Sequence, residues 1–177
     1  MADAKERSDA APRTVSGSES ELIRWMSIQD ANSAGFIHGG VVMRMCDEVA
    51  GIAAIRHSGC RVVTAGMDRM TFALPLYVGE LLRCIASVNA AWRTSMEVGV
   101  RVEAENAVTR EVRHTSTAYL TMVAVDEHGN PVPVPPLEVT GSVEERRQRE
   151  AETRRRNRLT ERDEILKARQ AAGEEAG

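Results

Sequence analysis

Residue types able to do chemistry gather in one stretch of this chain: Asn32-Ser-Ala-Gly-Phe-Ile-His38-Gly39-Gly40, then six residues, then Asp47-Glu48. Two glycines at the start of a helix let a ligand approach the backbone, and the free N–H groups there, at the positive end of the helix dipole, suit an oxyanion. Asp47 falls among Met45, Cys46, Val49 and Ala50, where a carboxylate is costly unless something employs it. From the residues alone two readings stand side by side. In one, the glycine amides and Asp47 serve a reaction that develops negative charge on oxygen. In the other, the glycines are a turn into the helix and Asp47 caps or bridges a partner subunit.

Other chemistries lack their patterns. His38, His57, His114 and His128 share no metal-ligand spacing with one another or with Cys46, Cys60 and Cys84, so no metal is expected. The three cysteines form no CxxC pair and are expected as free thiols. No serine sits in a GxSxG elbow, and Gly35, Gly39 and Gly40 make neither a dinucleotide nor a P-loop motif.

The elements that must position these residues are sharply punctuated. The run GGVVMRMCDEVAGIAAIRH, Gly39 to His57, is apolar on most faces, with Val41, Val42, Met45, Cys46, Val49, Ile52 and Ala53 crowding a helical wheel. Such a helix is expected to be wrapped by other structure. Four extended runs follow, 61–72, 80–92, 95–107 and 111–126. In the third, Met96, Val98, Val100, Val102 and Ala104 alternate with Glu97, Gly99, Arg101, Glu103 and Glu105, the period of a strand with one wet face. Pro75, Gly79, Arg93-Thr94 and His128-Gly129-Asn130-Pro131 separate the runs, and the short connections imply antiparallel pairing. With a leading strand near 21–27, the layout is α+β: one buried helix against an antiparallel sheet of long strands.

The chain has 177 residues, 42% hydrophobic and 28% charged, which suits one globular domain with appendages. Residues 1–20 have no periodicity and are expected to be disordered, 21–140 form the domain, and 141–177 form a charged tail. That tail holds 10 basic and 9 acidic residues, with i,i+4 pairs such as Glu145/Arg149 and Glu150/Arg154 and a capping box of Ser142 with Glu145. A solvated helix is expected there. A net charge of -3 and only six aromatic residues offer no platform for nucleic acid. No apolar run is long enough to span a bilayer, and the polar start shows no leader pattern, so no membrane partner and a cytoplasmic location are expected.

The segments NSAGFIHGGVVMRMCDEVAGIAAIRH, VVTAGMDRMTFALPLYVGE, WRTSMEVGVRVEAEN and TAYLTMVAVDEHGNPVPVPPL together resemble the hot-dog-fold acyl-CoA thioesterases. The likeness is to the branch of the brain cytosolic acyl-CoA hydrolase and the short bacterial acyl-CoA hydrolases, and it runs over about 22–137 in order. It implies a single hot-dog domain, a long central helix wrapped by a curved antiparallel sheet, that hydrolyses acyl-CoA to fatty acid and CoA. Asn32 matches the motif's catalytic asparagine and Asp47 its catalytic aspartate. Gly39 and Gly40 match the backbone that meets the thioester carbonyl. Arg93, Thr94 and Ser95 would contact CoA, His38 would shape the loop beside the substrate, and Thr64 would line the acyl pocket or serve as an ordinary strand threonine. The resemblance implies a homodimer or trimer of dimers, with no cofactor beyond the CoA of the substrate. A thioesterase for aryl or acyl-carrier substrates, and a non-catalytic acyl-CoA-binding assembly protein, are the alternatives on the same fold.

Overall fold

The computed structural model describes residues 11–171; expectations for 1–10 and 172–177 lie outside the described residues. The chain forms two units, dividing between Val139 and Thr140. The first contains, in order, β1 (Arg13–Thr14), α1 (Val15–Ser18), β2 (Ser20–Trp25), a 3-10 turn (Ile28–Asp30), α2 (Gly39–Ser58), β3 (Arg61–Met67), β4 (Glu80–Ala91), β5 (Ser95–Asn106), β6 (Val112–Val125) and β7 (Leu137–Glu138). The second is one helix, α3 (Ser142–Ala171).

Helix α2 is the centre of the first unit. Val42, Met45, Cys46, Val49, Ala50, Ala53 and Ala54 are buried at three- and four-residue spacing. Burying each Val or Met side chain is worth about 1.5–3 kcal/mol, which fixes the roll of the helix against the sheet. Gly59 ends it in the left-handed region at φ 68, donating to Ile55 O, and Arg56 and His57 in the last turn suit the negative end of the dipole. The helix is not wrapped all round within one chain. Met43, Ile52 and Ile55 stay exposed on a side that the sheet does not cover.

The sheet has the order β2-β4-β5-β6-β3, antiparallel throughout. Met96, Val98, Val100, Val102 and Ala104 of β5 all face the core, as their alternation predicts. The opposite face is drier than expected. Glu97 is fully buried, with Asn89 Nδ2 3.4 Å from its Oε1, and Glu103 takes Arg101 at 2.6 Å and Arg83 at 3.4 Å. Asn89 lies where β4 bulges between Val88 and Ala90, and its side chain fills the space in front of Gly99, where a Cβ would stand 2.5 Å from Nδ2. None of the six aromatic residues belongs to the core, which is aliphatic and sulfur-rich.

Two departures from the sequence reading concern chain ends and strand ends. Within the segment expected to be disordered, Arg13 and Thr14 pair in parallel with Leu137 and Glu138, and Arg13 donates to Arg56 O and His57 O at 3.0 and 2.9 Å. The run expected to extend to Phe72 leaves the sheet at Met67, after a bulge between Thr64 and Gly66. Asp68 N still donates to Tyr119 O at 2.9 Å, and the chain meets β6 again where Ala73 N donates to Thr115 O at 3.1 Å, so 69–72 bow outward between these two bonds. Among the cysteines, Cys46 and Cys84 are buried and Cys60 is half-buried, all as free thiols. A hydrogen bond with Cys46, and burial, push the Cys84 thiol up.

Taken by itself, α3 carries the expected pairs, Arg149–Glu145 at 3.8 Å and Arg154–Glu150 at 4.0 Å, with Arg146–Glu150 closer at 2.7 Å. Its start is held by Glu144, which accepts from Thr140 N at 2.8 Å, instead of the expected Ser142–Glu145 box. No helix among the described residues is long and apolar enough to cross a membrane.

His57 offers a test of the packing at the end of α2. Its Nε2 donates to Pro135 O at 3.0 Å, and its buried Nδ1 has no partner among the described residues. Burial holds the imidazole below its ordinary 6.5, the bond to Pro135 opposing and the Arg13 charge assisting. The unfolded chain therefore binds the proton first as pH falls, and stability declines below about pH 6.5. The thermal midpoint should drop between about pH 6.5 and 5, and His57→Gln, which keeps a donor for Pro135, should flatten that decline. An unchanged slope in the variant would assign it to other groups.

Candidate active site

The loop between β2 and α2 is built on Asp30. Only 5% exposed, Asp30 accepts from Ser27 N and Ser27 Oγ, both at 2.9 Å, and from Arg24 at 2.6 Å. The Ser27 N–H holds its carboxyl below the usual carboxylate range, with the Ser27 hydroxyl and the Arg24 charge adding to this and burial opposing it. The Asp30 carbonyl accepts from His38 N at 2.9 Å, closing the loop just before the helix. Inside it, Asn32 Oδ1 accepts from Ala34 N at 2.9 Å and Phe36 N at 3.2 Å. The side-chain oxygen is thus spent on the turn, which leaves the Asn32 amide N–H2 as the half able to serve a ligand.

His38 is exposed and holds the N-cap position of α2 without a side-chain bond. Among the described residues no side chain caps the helix, and none accepts from the Gly39 and Gly40 N–H groups at its positive end. His38, Gly39 and Gly40 are consecutive at the helix start, and the loop that carries Asn32 closes onto it through the His38 N–Asp30 O bond.

Asp47 lies two turns along the same helix, half-buried, beside the open side that exposes Met43, Ile52 and Ile55. Thr64 Oγ1 on β3 donates to Asp47 Oδ1 at 2.5 Å, the short length of a hydroxyl bound to a carboxylate, and Met122 Sδ lies 3.5 Å from Thr64 Oγ1. Thr64 is thereby placed against Asp47. Arg93, Thr94 and Ser95 form the turn between β4 and β5. Thr64 lies opposite Met122 and Ser95 opposite its neighbour Val123, so Ser95 is two strand spacings, about 10 Å, from the Thr64 row.

The site residues therefore fall into two groups. Gly39 and Asp47 are eight positions apart on one helix, about 12 Å along its axis, whereas reacting groups must meet within about 3–3.5 Å. One chain closes the Asn32 loop at the glycine end of the helix and brings Thr64 to Asp47, with the two ends that far apart. Among the described residues, no cluster of His, Cys, Asp or Glu could hold a metal ion.

Sequence reasoning missed Asp30. Its Ser27-to-Asp30 spacing is a short capping signal of the kind that precedes helices, yet here it closes a single 3-10 turn. Removing it strands Arg24 and two Ser27 donors. Asp30→Ala should destabilise the chain by about 2–3 kcal/mol in urea unfolding and speed hydrogen exchange at the amides of 32–38. Unaltered exchange there would show that the loop is held by something else.

Residues 34–110 match the family model of the thioesterase superfamily. The chain is 43% identical over 117 residues to protein VdlD of Helicobacter pylori, covering 66% of this chain and 67% of that protein. It is 37% identical over 128 residues to the cytosolic acyl coenzyme A thioester hydrolase of Rattus norvegicus, covering 71% of this chain and 34% of that protein. Among solved structures, an apo-hexameric acyl-CoA thioesterase is 38% identical, with a TM-score of 0.82 over 86% of this chain and 97% of that one. The acyl-CoA hydrolase of Staphylococcus aureus in complex with butyryl coenzyme A, coenzyme A and coenzyme A disulfide is 31% identical, with a TM-score of 0.83 over 92% and 99%. That hydrolase has also been solved with alanine in place of an asparagine, an aspartate and a threonine. The three are spaced by fifteen residues and then seventeen, the spacing of Asn32, Asp47 and Thr64. The chain belongs to the hot-dog-fold acyl-CoA thioesterase family.

Proposed function

We propose that this protein hydrolyses acyl-CoA to a free fatty acid and CoA, at a site completed by two copies of the chain. The observation that carries this is the half-buried Asp47 carboxylate, bound by Thr64 on the open side of α2, in a chain whose uncapped glycine amides lie too far away to share a substrate with it. The matching spacing of the three residues replaced in the S. aureus hydrolase supports the same assignment.

In this mechanism the thioester oxygen lies at the Gly39 and Gly40 N–H groups, which stabilise it as the carbonyl becomes tetrahedral. Asp47 acts as base on water or as nucleophile on the carbonyl carbon. Thr64 holds Oδ1 and leaves Oδ2 for the reaction, so Thr64 is a positioning residue. The Asn32 amide orients water or substrate. His38 borders the substrate, and Arg93, Thr94 and Ser95 meet the CoA portion. The C–S bond breaks, CoA leaves as a thiol, and water supplies the oxygen of the acid and both protons.

Each site takes Asn32, Gly39 and Gly40 from one protomer and Asp47 from its dimer mate, with dimers able to assemble further into a trimer of dimers. Met43, one turn before Asp47 on the same helix face, and the exposed Ile52 and Ile55 further along the helix supply apolar surface for such a contact. The protein is expected in the cytoplasm.

Asn32→Ala and Asp47→Ala should each be nearly inactive as pure preparations. Refolding them as an equal mixture should restore about a quarter of wild-type activity, since half the dimers are mixed and each mixed dimer holds one complete site. Mixed dimers, verified with differently tagged chains, that stay inactive would exclude the shared site. Thr64→Val should lower kcat about 10- to 100-fold through loss of a bond to a charged group, with a smaller change in KM. Thr64→Ser should recover most of it, and a valine variant of full activity would remove Thr64 from the mechanism.

A further inference from the structure

Beside Gly39 lies a cavity of about 340 Å³ bounded by the start of α2, the loop 31–38 and the segment 68–78. Phe36, Val42, Phe72, Leu74 and Leu76 give it an apolar lining, and Thr115 lies at its floor. We propose that the acyl chain of the substrate occupies this cavity and that the Phe72 ring sets the length of chain it admits. The proposal rests on the acyl-CoA hydrolysis argued above and on the glycine amides as the carbonyl site.

The cavity walls are held on both sides. Ala73 N donates to Thr115 O at 3.1 Å, and Ile37 N donates to Leu76 O at 2.9 Å, so the segment bridges β6 and the Asn32 loop. Arg113 donates to Pro75 O at 2.9 Å and to both Glu80 oxygens at 2.8 Å, and its guanidinium lies 5.5 Å from the Tyr77 ring. Tyr77 in turn meets Phe36 edge to face, with ring centroids 5.6 Å apart. A space so bounded is preformed.

Phe72 is the exception in this frame, 46% exposed where 69–72 bow away from β6. Its ring covers Gly39: a Cβ at that position would stand 3.2 Å from Cζ. A carbonyl oxygen bound by the Gly39 N–H brings its first alkyl carbons to this ring within one or two bonds. The apolar surface they meet next is Val42 and Phe36. The pantetheine arm of CoA is a poorer occupant. Its two amides need hydrogen-bond partners, and of the two hydroxyl residues in the lining, Thr115 and Ser116, the Thr115 hydroxyl is engaged with Val102 O at 3.3 Å and lies 3.5 Å from the Ser116 hydroxyl.

The test is steady-state hydrolysis of straight-chain acyl-CoAs from acetyl to palmitoyl by the full-length wild type, Phe72→Ala, Phe72→Trp and Leu74→Ala, with folding checked by circular dichroism. Each methylene gaining a buried place is worth about fourfold in kcat/KM. Phe72→Ala should therefore raise the ratio of kcat/KM for long over short substrates at least tenfold, and Phe72→Trp should lower it. Leu74→Ala should shift it in the direction of the alanine variant, which keeps the proposal testable if Phe72→Ala does not fold. A change of equal size at every chain length, or none, would overturn the proposal and assign the ring to the thioester or to pantetheine. A wild type that releases CoA from no acyl-CoA would instead sink the proposed function itself, and the cavity assignment with it.

Discussion

A twenty-residue helix that is apolar on nearly every side cannot stand in water, and the architecture follows from covering it. One sheet does most of this by presenting the alternating faces of β4, β5 and β6. Alanines at 50, 53 and 54, all without exposure, let the strands come close. The cover is incomplete on one side, and that side carries Asp47. The Asp47 carboxylate thus sits where the apolar cover of the helix is open.

Much of this was legible because it is periodic. The helix was expected to within one residue, and four of the five long strands to within two at each end, since period-3.6 and period-2 burial leave a direct trace in residue order. The two-residue strand at Arg13–Thr14 leaves no such trace: parallel pairing with a segment more than a hundred positions away is a tertiary fact. The bow at 69–72 was hidden for a related reason, because an apolar Phe72 suits a strand and a loop over a helix start equally well. Glu97 shows the reverse error. Alternation marked it as wet, but a bulge at Asn89, whose side chain lies in front of Gly99, gives it a buried polar neighbour.

The site was legible in composition and opaque in arrangement. Asn32, Gly39, Gly40 and Asp47 stand out because their types are unusual beside an apolar run. Residue order cannot show that the Asn32 oxygen is consumed by its own turn, or that Thr64, seventeen positions beyond Asp47, closes on its carboxylate. Asp30, the anchor of the loop, was missed because a buried carboxylate with a serine partner looks like any capping motif until its arginine is located.

The placement of the aromatic residues has an optical consequence. Trp25 is 71% exposed, with its indole N–H on Gly79 O, and Trp92 is half-buried beside the β4–β5 turn. Phe36 and Phe72 line the cavity at the helix start, and Tyr77 packs edge to face on Phe36. The chromophores of this protein therefore report on its periphery. Intrinsic fluorescence will follow chain association and occupancy near the helix ends, while loosening of the aliphatic interior stays spectrally quiet. Core integrity has to be followed through the backbone, by far-ultraviolet dichroism or amide exchange, and a tryptophan transition that precedes the backbone one marks events at the rim.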